Sequence, residues 1–508
     1  MRAAVGPVLL TFAISACVMI LEIVAGRIAA RHVGNSIYTW TSIIAVVLAG
    51  ISIGNVIGGW CADRFVRAGP RRVTASALAL GAVLSLTILW THTLAFDTVL
   101  GTSWAWPTKV LLGVALTFLP PSIVLGSLSP ILASWVLGLS QRRGGALGTV
   151  YAAGATGSIV GTLLAGFVLI PAVGTSTIVA AVAVLLVLLA FFLWPSAVTA
   201  ASAAVVVVGV YVAGLPPGLN GLLDRVVPRS DLPVDAVAFE ESAYQTITVR
   251  YTDGEYVLVM DDLIHGYVDP IEPSRLTYEY LRIYRDLLDR RFPANRGART
   301  LHLGAGAFTF PRYVSSTRPL DRLTVVEIDP AVTRVNQEHL RLGQPVPFEI
   351  VHGDARRVVV DLAAEGRTYD AAFVDAYQGF AVPYHLSTHE FFVDLRQALS
   401  DDGFVAANVI DVFLDGRVLS SLYNTVAAVF EHAYVIATRP PGLEESRDTF
   451  VVVGSRSSLG DVLNWDLPSE GFYVLSEPEL KRVAAFTRGL VLTDEYAPID
   501  NFVATWLR

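Results

Sequence analysis

"TLHLGAGAFTF", residues Thr300–Phe310, sets the reading of the C-terminal half. A short apolar run ends on Gly304-Ala305-Gly306, after which a helical pattern begins. That is how a buried strand enters a tight βα turn. Gly304 and Gly306 let the backbone come close to a ligand at the helix N-terminus, where a Cβ would block approach. The third glycine of a dinucleotide fingerprint is missing, since Thr309 stands there.

The same unit repeats on the C-terminal side. "LTVVEIDP" (323–330), "FEIVHGDA" (348–355), "YDAAFVDAY" (369–377) and "GFVAANVI" (403–410) are short apolar runs separated by helical stretches. Alternation of this kind predicts a doubly wound, Rossmann-like α/β domain with a parallel sheet. "AYVIATR" (433–439) and "TFVVVGS" (449–455) are expected to close it as an antiparallel pair. Upstream, "YQTITVRYTDGEYVLVMDD" (244–262) alternates about Thr252-Asp253-Gly254, a hairpin signal. Three strands end on acids. Glu327, about 20 residues beyond the glycine turn, suits the two hydroxyls of a ribose. Asp354 suits an adenine amino group, and Asp375 stands where chemistry sits in open α/β sheets.

The N-terminal half has another composition. Residues 1–215 carry ten Lys/Arg and three Asp/Glu, so most of the acid behind the net charge of −8 lies downstream. An acidic domain argues against a nucleic-acid partner, because phosphate binding needs clustered cations. Cys17 and Cys61 are the only cysteines, which leaves the C-terminal half no disulfide or cysteine-based metal site. Apolar stretches near 6–30, 38–60, 73–95, 108–137, 146–170, 176–194 and 197–215 each have crossing length, and the lipid bilayer is their expected partner. Arg-rich 61–73 and 141–145 are expected on the cytoplasmic side. Seven crossings then put the C-terminal domain outside; six put it inside. Glu22 falls within the first stretch and reads either as a site or as a partner for Arg27. Gly157 and Gly161 predict a helix-packing face, and "FLPPSIVLGSLSP" (118–130) predicts a kinked or broken helix.

"ESAYQTITV", "LGAGAF", "VEIDP", "GDAR", "YDAAFVDAY" and "HLSTHEFF" occur in the order and spacing of spermidine synthases, which this chain resembles over roughly 235–455. "LTDEYAPIDNF" (492–502) resembles the ending of the branch fused to a membrane half, and "GGWCADRFVRAGPRR" (58–72) resembles a loop of major-facilitator transporters. The resemblance implies transfer of an aminopropyl group from decarboxylated S-adenosylmethionine, a co-substrate, to a small amine. No permanently bound cofactor and no metal are implied. It makes Asp375 the catalytic acid/base and gives Gln245, Gly304, Gly306, Glu327, Asp354, Ala355 and Pro383 to the nucleoside. On the acceptor side it points to Tyr278, Glu279, Ala307 and Gln378. There the chain departs from the family: Ala307 and Gln378 replace acids, and Glu279 replaces a histidine.

The implied organisation is a transmembrane domain over 1–215, a linker over 216–234, a small β subdomain with the first helix over 235–298, and the transferase domain over 299–508. The protein is expected in the cell membrane as a multi-pass chain. Its catalytic domain is expected in the cytoplasm, where sulfonium donors are made. A membrane half of this size must dimerise to make a full facilitator. Two other readings stand beside this one. The first is a transferase moving methyl or aminocarboxypropyl from intact S-adenosylmethionine. The second is a transporter or sensor whose domain only binds a nucleoside or polyamine.

Overall fold

Long apolar stretches with few charges have no stable alternative to helices, and the first half of the chain forms them. The computed structural model describes residues 4–65, 68–213, 236–261, 263–272, 274–343, 345–377, 382–413, 415–440, 447–463 and 472–506. The expected linker and Gln378 lie outside these. The chain divides into two compact units, 1–234 with 241–245, and 235–240 with 246–508.

The helical unit contains α1 (Val5–Val33), α2 (Ile37–Arg64), α3 (Pro70–Leu100), α4 (Trp106–Leu139) and α5 (Arg143–Leu164). α5 runs through a π-helical turn, Ala165–Leu169, into the short α6 (Ile170–Ala172), and α7 (Thr175–Leu193) and α8 (Ala197–Val212) follow. Among the described residues, six helices are long and apolar enough to cross a membrane, with Arg143–Ala172 counted as one. The seventh expected span, 197–215, corresponds to α8, whose 16 residues fall short of crossing length.

Of the kink or break expected in α4, the break is absent. Pro120, Pro121 and Pro130 lie inside it, yet it stays one helix from Trp106 to Leu139. Its packing against α2 explains how. Gly50, Gly54 and Gly58 form a stripe on α2 that the backbone of α4 touches. A Cβ on Gly54 would lie 2.3 Å from the Ile123 carbonyl oxygen, and one on Gly58 would lie 2.1 Å from that of Ser127. Backbones this close gain dispersion energy along their length, which offsets the donors lost at proline. Gly157 and Gly161 do form a packing face: a Cβ there would lie 2.2 Å and 2.4 Å from carbonyl oxygens of Phe12 and Ala16 on α1.

In the second unit, β1 (Ala236–Glu241), β2 (Thr246–Thr252), β3 (Glu255–Met260) and β4 (Leu263–Val268) form a four-stranded sheet in that order. The predicted hairpin joins β2 and β3, with Asp253 at φ 51° and Gly254 at φ 87°. Positive φ at both positions matches the twist of the flanking strands. The larger sheet holds β5 (Arg299–Leu303), β6 (Arg322–Glu327), β7 (Glu349–His352), β8 (Tyr369–Val374), β9 (Leu399–Val412), β10 (His432–Ala437), β11 (Arg447–Ser455) and β12 (Tyr473–Val474). Its order is β12-β10-β11-β9-β8-β5-β6-β7. The five strands from β7 to β9 are parallel, and β11, β10 and β12 run antiparallel beyond them. The closing pair is as expected, but β10 lies between β11 and the unforeseen β12.

Helices α9 (Glu279–Arg291) and α10 (Thr309–Thr317) cover one face of this sheet; α12 (Ala355–Ala364), α13 (His389–Gln397) and α14 (Arg417–Val429) cover the other. Strand alternation divides the core between them. Leu301, Leu303, Ala372 and Val374 pack with Val359, Leu395 and Leu422, while Ala371 and Phe373 pack with Leu287 and Phe310. α11 (Pro330–His339) buries Val332 and Val335 against Val249 and Leu258 of the small sheet. Strand order reverses at β5, whose neighbours are β6 and β8. The carboxyl ends of β5 and β8 therefore open the crevice where such sheets bind ligands.

The glycine stripe on α2 gives a direct test. Gly54→Ala should lower the thermal midpoint of the detergent-solubilised protein by several degrees, because the methyl group meets backbone. Gly59→Ala, one turn on with nothing within 4 Å of its Cβ position, should leave the midpoint unchanged or raise it. Equal midpoints for the two variants would contradict the packing.

Candidate active site

Backbone bonds between neighbouring strands set the site's spacing. Asp375 N–H donates to Leu303 O at 2.9 Å, Gly304 N–H to Val326 O at 2.9 Å, and Gly353 N–H to Glu327 O at 3.0 Å. Asp375, the glycine turn, Glu327 and Asp354 therefore stand in a row along the carboxyl edge, one strand apart.

Gly304 has φ 95°, and a Cβ on it would lie 2.3 Å from the Asp375 carbonyl oxygen. Its glycine is required by the chain's own backbone, whatever ligand lies above. Gly306, at φ 50°, likewise faces the His265 carbonyl, 2.8 Å from where its Cβ would be. Behind the turn, buried Arg312 donates from Nε to Ala307 O at 3.1 Å and from Nη2 to Asn336 Oδ1 at 3.3 Å. Asn336 Nδ2 in turn donates to Gly306 O at 3.0 Å.

Glu327 is buried and accepts from the N–H of Ala305 (3.0 Å, Oε2) and of Asp329 (2.9 Å, Oε1). Burial pushes its carboxyl up to about 7, against the two N–H donors. Each oxygen keeps a lone pair beyond these bonds, so the carboxylate can still accept two hydroxyls.

Asp354 caps α12 through Oδ1, which accepts from Arg357 N–H at 3.0 Å, and its Oδ2 lies 2.9 Å from His385 Nε2. Partial burial would raise its carboxyl; the donors from Arg357 and His385 outweigh that and hold it below the ordinary aspartate range. Ala355 is buried as the first residue of α12. Pro383 precedes the 3₁₀ turn Tyr384–Leu386 that carries His385.

Asp375 is gripped at both oxygens. Tyr280 Oη donates to Oδ2 at 2.6 Å, a short charge-assisted bond, and Asn408 Nδ2 donates to Oδ1 at 2.8 Å. Desolvation raises the Asp375 carboxyl above the ordinary aspartate range, while these two donors pull it down. Tyr280 is itself pushed well above the ordinary phenol value, by burial and by the Asp375 charge. A carboxylate only accepts, so the Asn408 amide must turn its NH₂ towards Asp375. Its buried Oδ1 is left without a partner among the described residues.

The acceptor-side residues are placed differently from one another. Tyr278 is partly exposed, with its hydroxyl on Ile264 O at 3.3 Å and its ring 5.1 Å from that of Tyr267. Glu279 is exposed on the first turn of α9. Ala307 is 1% exposed beside Gly266 and offers no polar side-chain atom. Two other acids are already engaged: Asp269 accepts from two backbone N–H groups and Arg275, and Asp494 takes the fork of Arg356. Gln245 closes the β1–β2 turn, its N–H on Ser242 Oγ at 3.0 Å, in a segment that groups with the helical unit. The row along the sheet edge does not include it.

Tyr280, Asn408 and His385 escape sequence reasoning. Asn408 had a signal, since it is one polar residue inside the apolar run "VAANVI". His385 opens the motif "HLSTHEFF", and Tyr280 had no signal apart from nearness to Tyr278.

No protein-family profile matches the chain. Among curated proteins it is 29% identical over 222 residues to a polyamine aminopropyltransferase of Vibrio vulnificus, covering 43% of this chain and 68% of that protein. It is 26% identical over 475 residues to polyamine aminopropyltransferase 2 of Streptomyces coelicolor, covering 87% of this chain and 81% of the other, so that likeness extends into the helical unit. Among solved structures, a probable spermidine synthase from Corynebacterium glutamicum aligns at 25% identity and TM-score 0.44, covering 52% of this chain and 97% of that one. The chain is a homologue of the polyamine aminopropyltransferases, the spermidine synthase family.

Proposed function

We propose that the second unit is an aminopropyltransferase acting on an S-adenosylmethionine-related sulfonium, in its decarboxylated form, and on a small amine. The observation that carries this is Asp375, held at both oxygens beside the glycine turn, two strands from the ribose-suited Glu327. An amine reaches the site as an ammonium and has no lone pair until it loses a proton. Asp375 accepts that proton. The freed nitrogen attacks the carbon joined to the sulfonium, the C–S bond breaks, and its electrons stay on sulfur, leaving methylthioadenosine. Tyr280 and Asn408 keep the carboxylate oriented, and Asn408 Oδ1 supplies a second acceptor for an amine N–H. The buried Ala307 and the engagement of Asp269 and Asp494 favour an acceptor that presents one ammonium near Asp375. Ala307 also leaves the methionine end of the donor unopposed by charge. That observation supports the second reading, transfer from intact S-adenosylmethionine.

The six apolar helices support a multi-pass membrane anchor. With six crossings and Arg-rich 61–73 and 141–145 in the cytoplasm, the catalytic unit lies on the cytoplasmic side, where its donor is made.

Asp375→Asn should abolish transfer, read as methylthioadenosine formed, while nucleoside affinity stays within a few-fold. Amide and carboxylate have the same shape, so undiminished turnover removes Asp375 from the chemistry. Glu327→Ala should weaken methylthioadenosine binding about tenfold by calorimetry, as for a charged hydrogen-bonding partner. Protonated Glu327 loses an acceptor, so wild-type affinity should fall as pH drops through about 7, and Glu327→Gln should flatten that dependence. A C-terminal fluorescent reporter should light up in cells; an active C-terminal phosphatase fusion would overturn the cytoplasmic placement.

A further inference from the structure

We propose that His385 is a base-recognition residue, held in place by a clamp built from the C-terminal motif around Asp494. The inference rests on the reading of this unit as nucleoside-binding. Asp354 ends the strand next to the ribose-suited Glu327, which is where a nucleobase would lie. His385 touches it, Nε2 to Oδ2 at 2.9 Å, with both side chains open to solvent at 32% and 40%.

The contact fixes the imidazole's chemistry. Asp354 is held ionised and can only accept, so Nε2 carries the hydrogen. In the neutral ring Nδ1 is then a bare acceptor. Asp354, with its remaining lone pairs, and His385, at Nδ1, each offer an acceptor on this side, either of which suits a 6-amino group, and a 6-oxo purine, which offers a carbonyl oxygen there, meets them unfavourably. Selectivity of this kind comes from leaving two acceptors facing each other once the bound base covers them.

A three-residue stretch, Asp354–Arg356, holds the segment carrying His385 at two points. Asp354 bonds His385 directly. Arg356 places both guanidinium nitrogens on Asp494, at 2.6 and 2.7 Å. Asp494 Oδ1 accepts from Thr388 Oγ1 at 2.8 Å, three residues beyond His385. His389 N–H donates to Leu492 O at 2.8 Å, and Asp494 N–H to Glu390 Oε2 at 3.1 Å. Residues 492–494 thus fix Thr388–Glu390 and, through them, the approach of His385 to Asp354. This gives a task to "LTDEYAPIDNF", which the transfer chemistry leaves unused. His385 is the binding residue; Asp494 is a positioning residue.

Calorimetry on the full detergent-solubilised chain with methylthioadenosine and its 6-oxo counterpart, methylthioinosine, tests this. The wild type should prefer the 6-amino compound. His385→Ala should bind it about tenfold more weakly, and the preference should shrink towards unity. His385→Gln keeps a donor for Asp354 and an acceptor beyond it, and should recover part of both. Asp494→Asn should raise the donor's KM several-fold while leaving kcat at saturation near the wild-type value. A folded His385→Ala protein with wild-type affinity and preference overturns the proposal, as does a His385→Gln protein no better than His385→Ala. A wild type that binds neither nucleoside overturns the nucleoside reading itself, which is a different result.

Discussion

The contact between Gly304 and the backbone of Asp375 is the constraint on which the rest of the site depends. The turn after β5 passes so close to the end of β8 that no side chain fits between them. Asp375 N–H closes the same junction by donating to Leu303 O. A parallel sheet fixes neighbouring strands a little under 5 Å apart, so the remaining groups follow in sequence along the edge. Glu327 is tied back to Ala305 of the turn, and Gly353, just before Asp354, is tied to Glu327. One tight backbone contact thus sets the spacing of the three strand-end acids.

Electrostatics then separates the three carboxylates. Glu327 is buried with only backbone donors and is pushed up to about 7; Asp354, half-open beside His385, is held down. Asp375 lies between these cases, raised by desolvation and restrained by Tyr280 and Asn408. Different environments push like groups apart, and this is how one sheet edge can carry both binding and proton transfer.

The helical unit is held by a different force. Its closest contacts are backbone against glycine, along α2 with α4 and along α5 with α1, where the missing side chains let the backbones approach. The arrangement also shows why the prolines do not break α4. Pro120, Pro121 and Pro130 signal a break locally, but three glycines on α2 bring a neighbouring backbone against the same stretch and the helix persists.

By itself the sequence determined the short apolar runs and glycine turns of the parallel sheet, the Asp253-Gly254 hairpin, the Gly157/Gly161 packing face, and the acids at strand ends. These are local: a strand end, a positive φ or a small-residue spacing is written within a few consecutive residues. Only the tertiary structure decided that Tyr280 and Asn408, 95 and 33 residues from Asp375 in sequence, would share its carboxylate. It also decided that Ala307 would be sealed in the core, that α8 would be too short to cross, and that Asp494 would brace the segment holding His385. Hydrogen bonds across such separations depend on which strand end meets which helix. That is set by packing of the whole sheet, and no window of the sequence contains it.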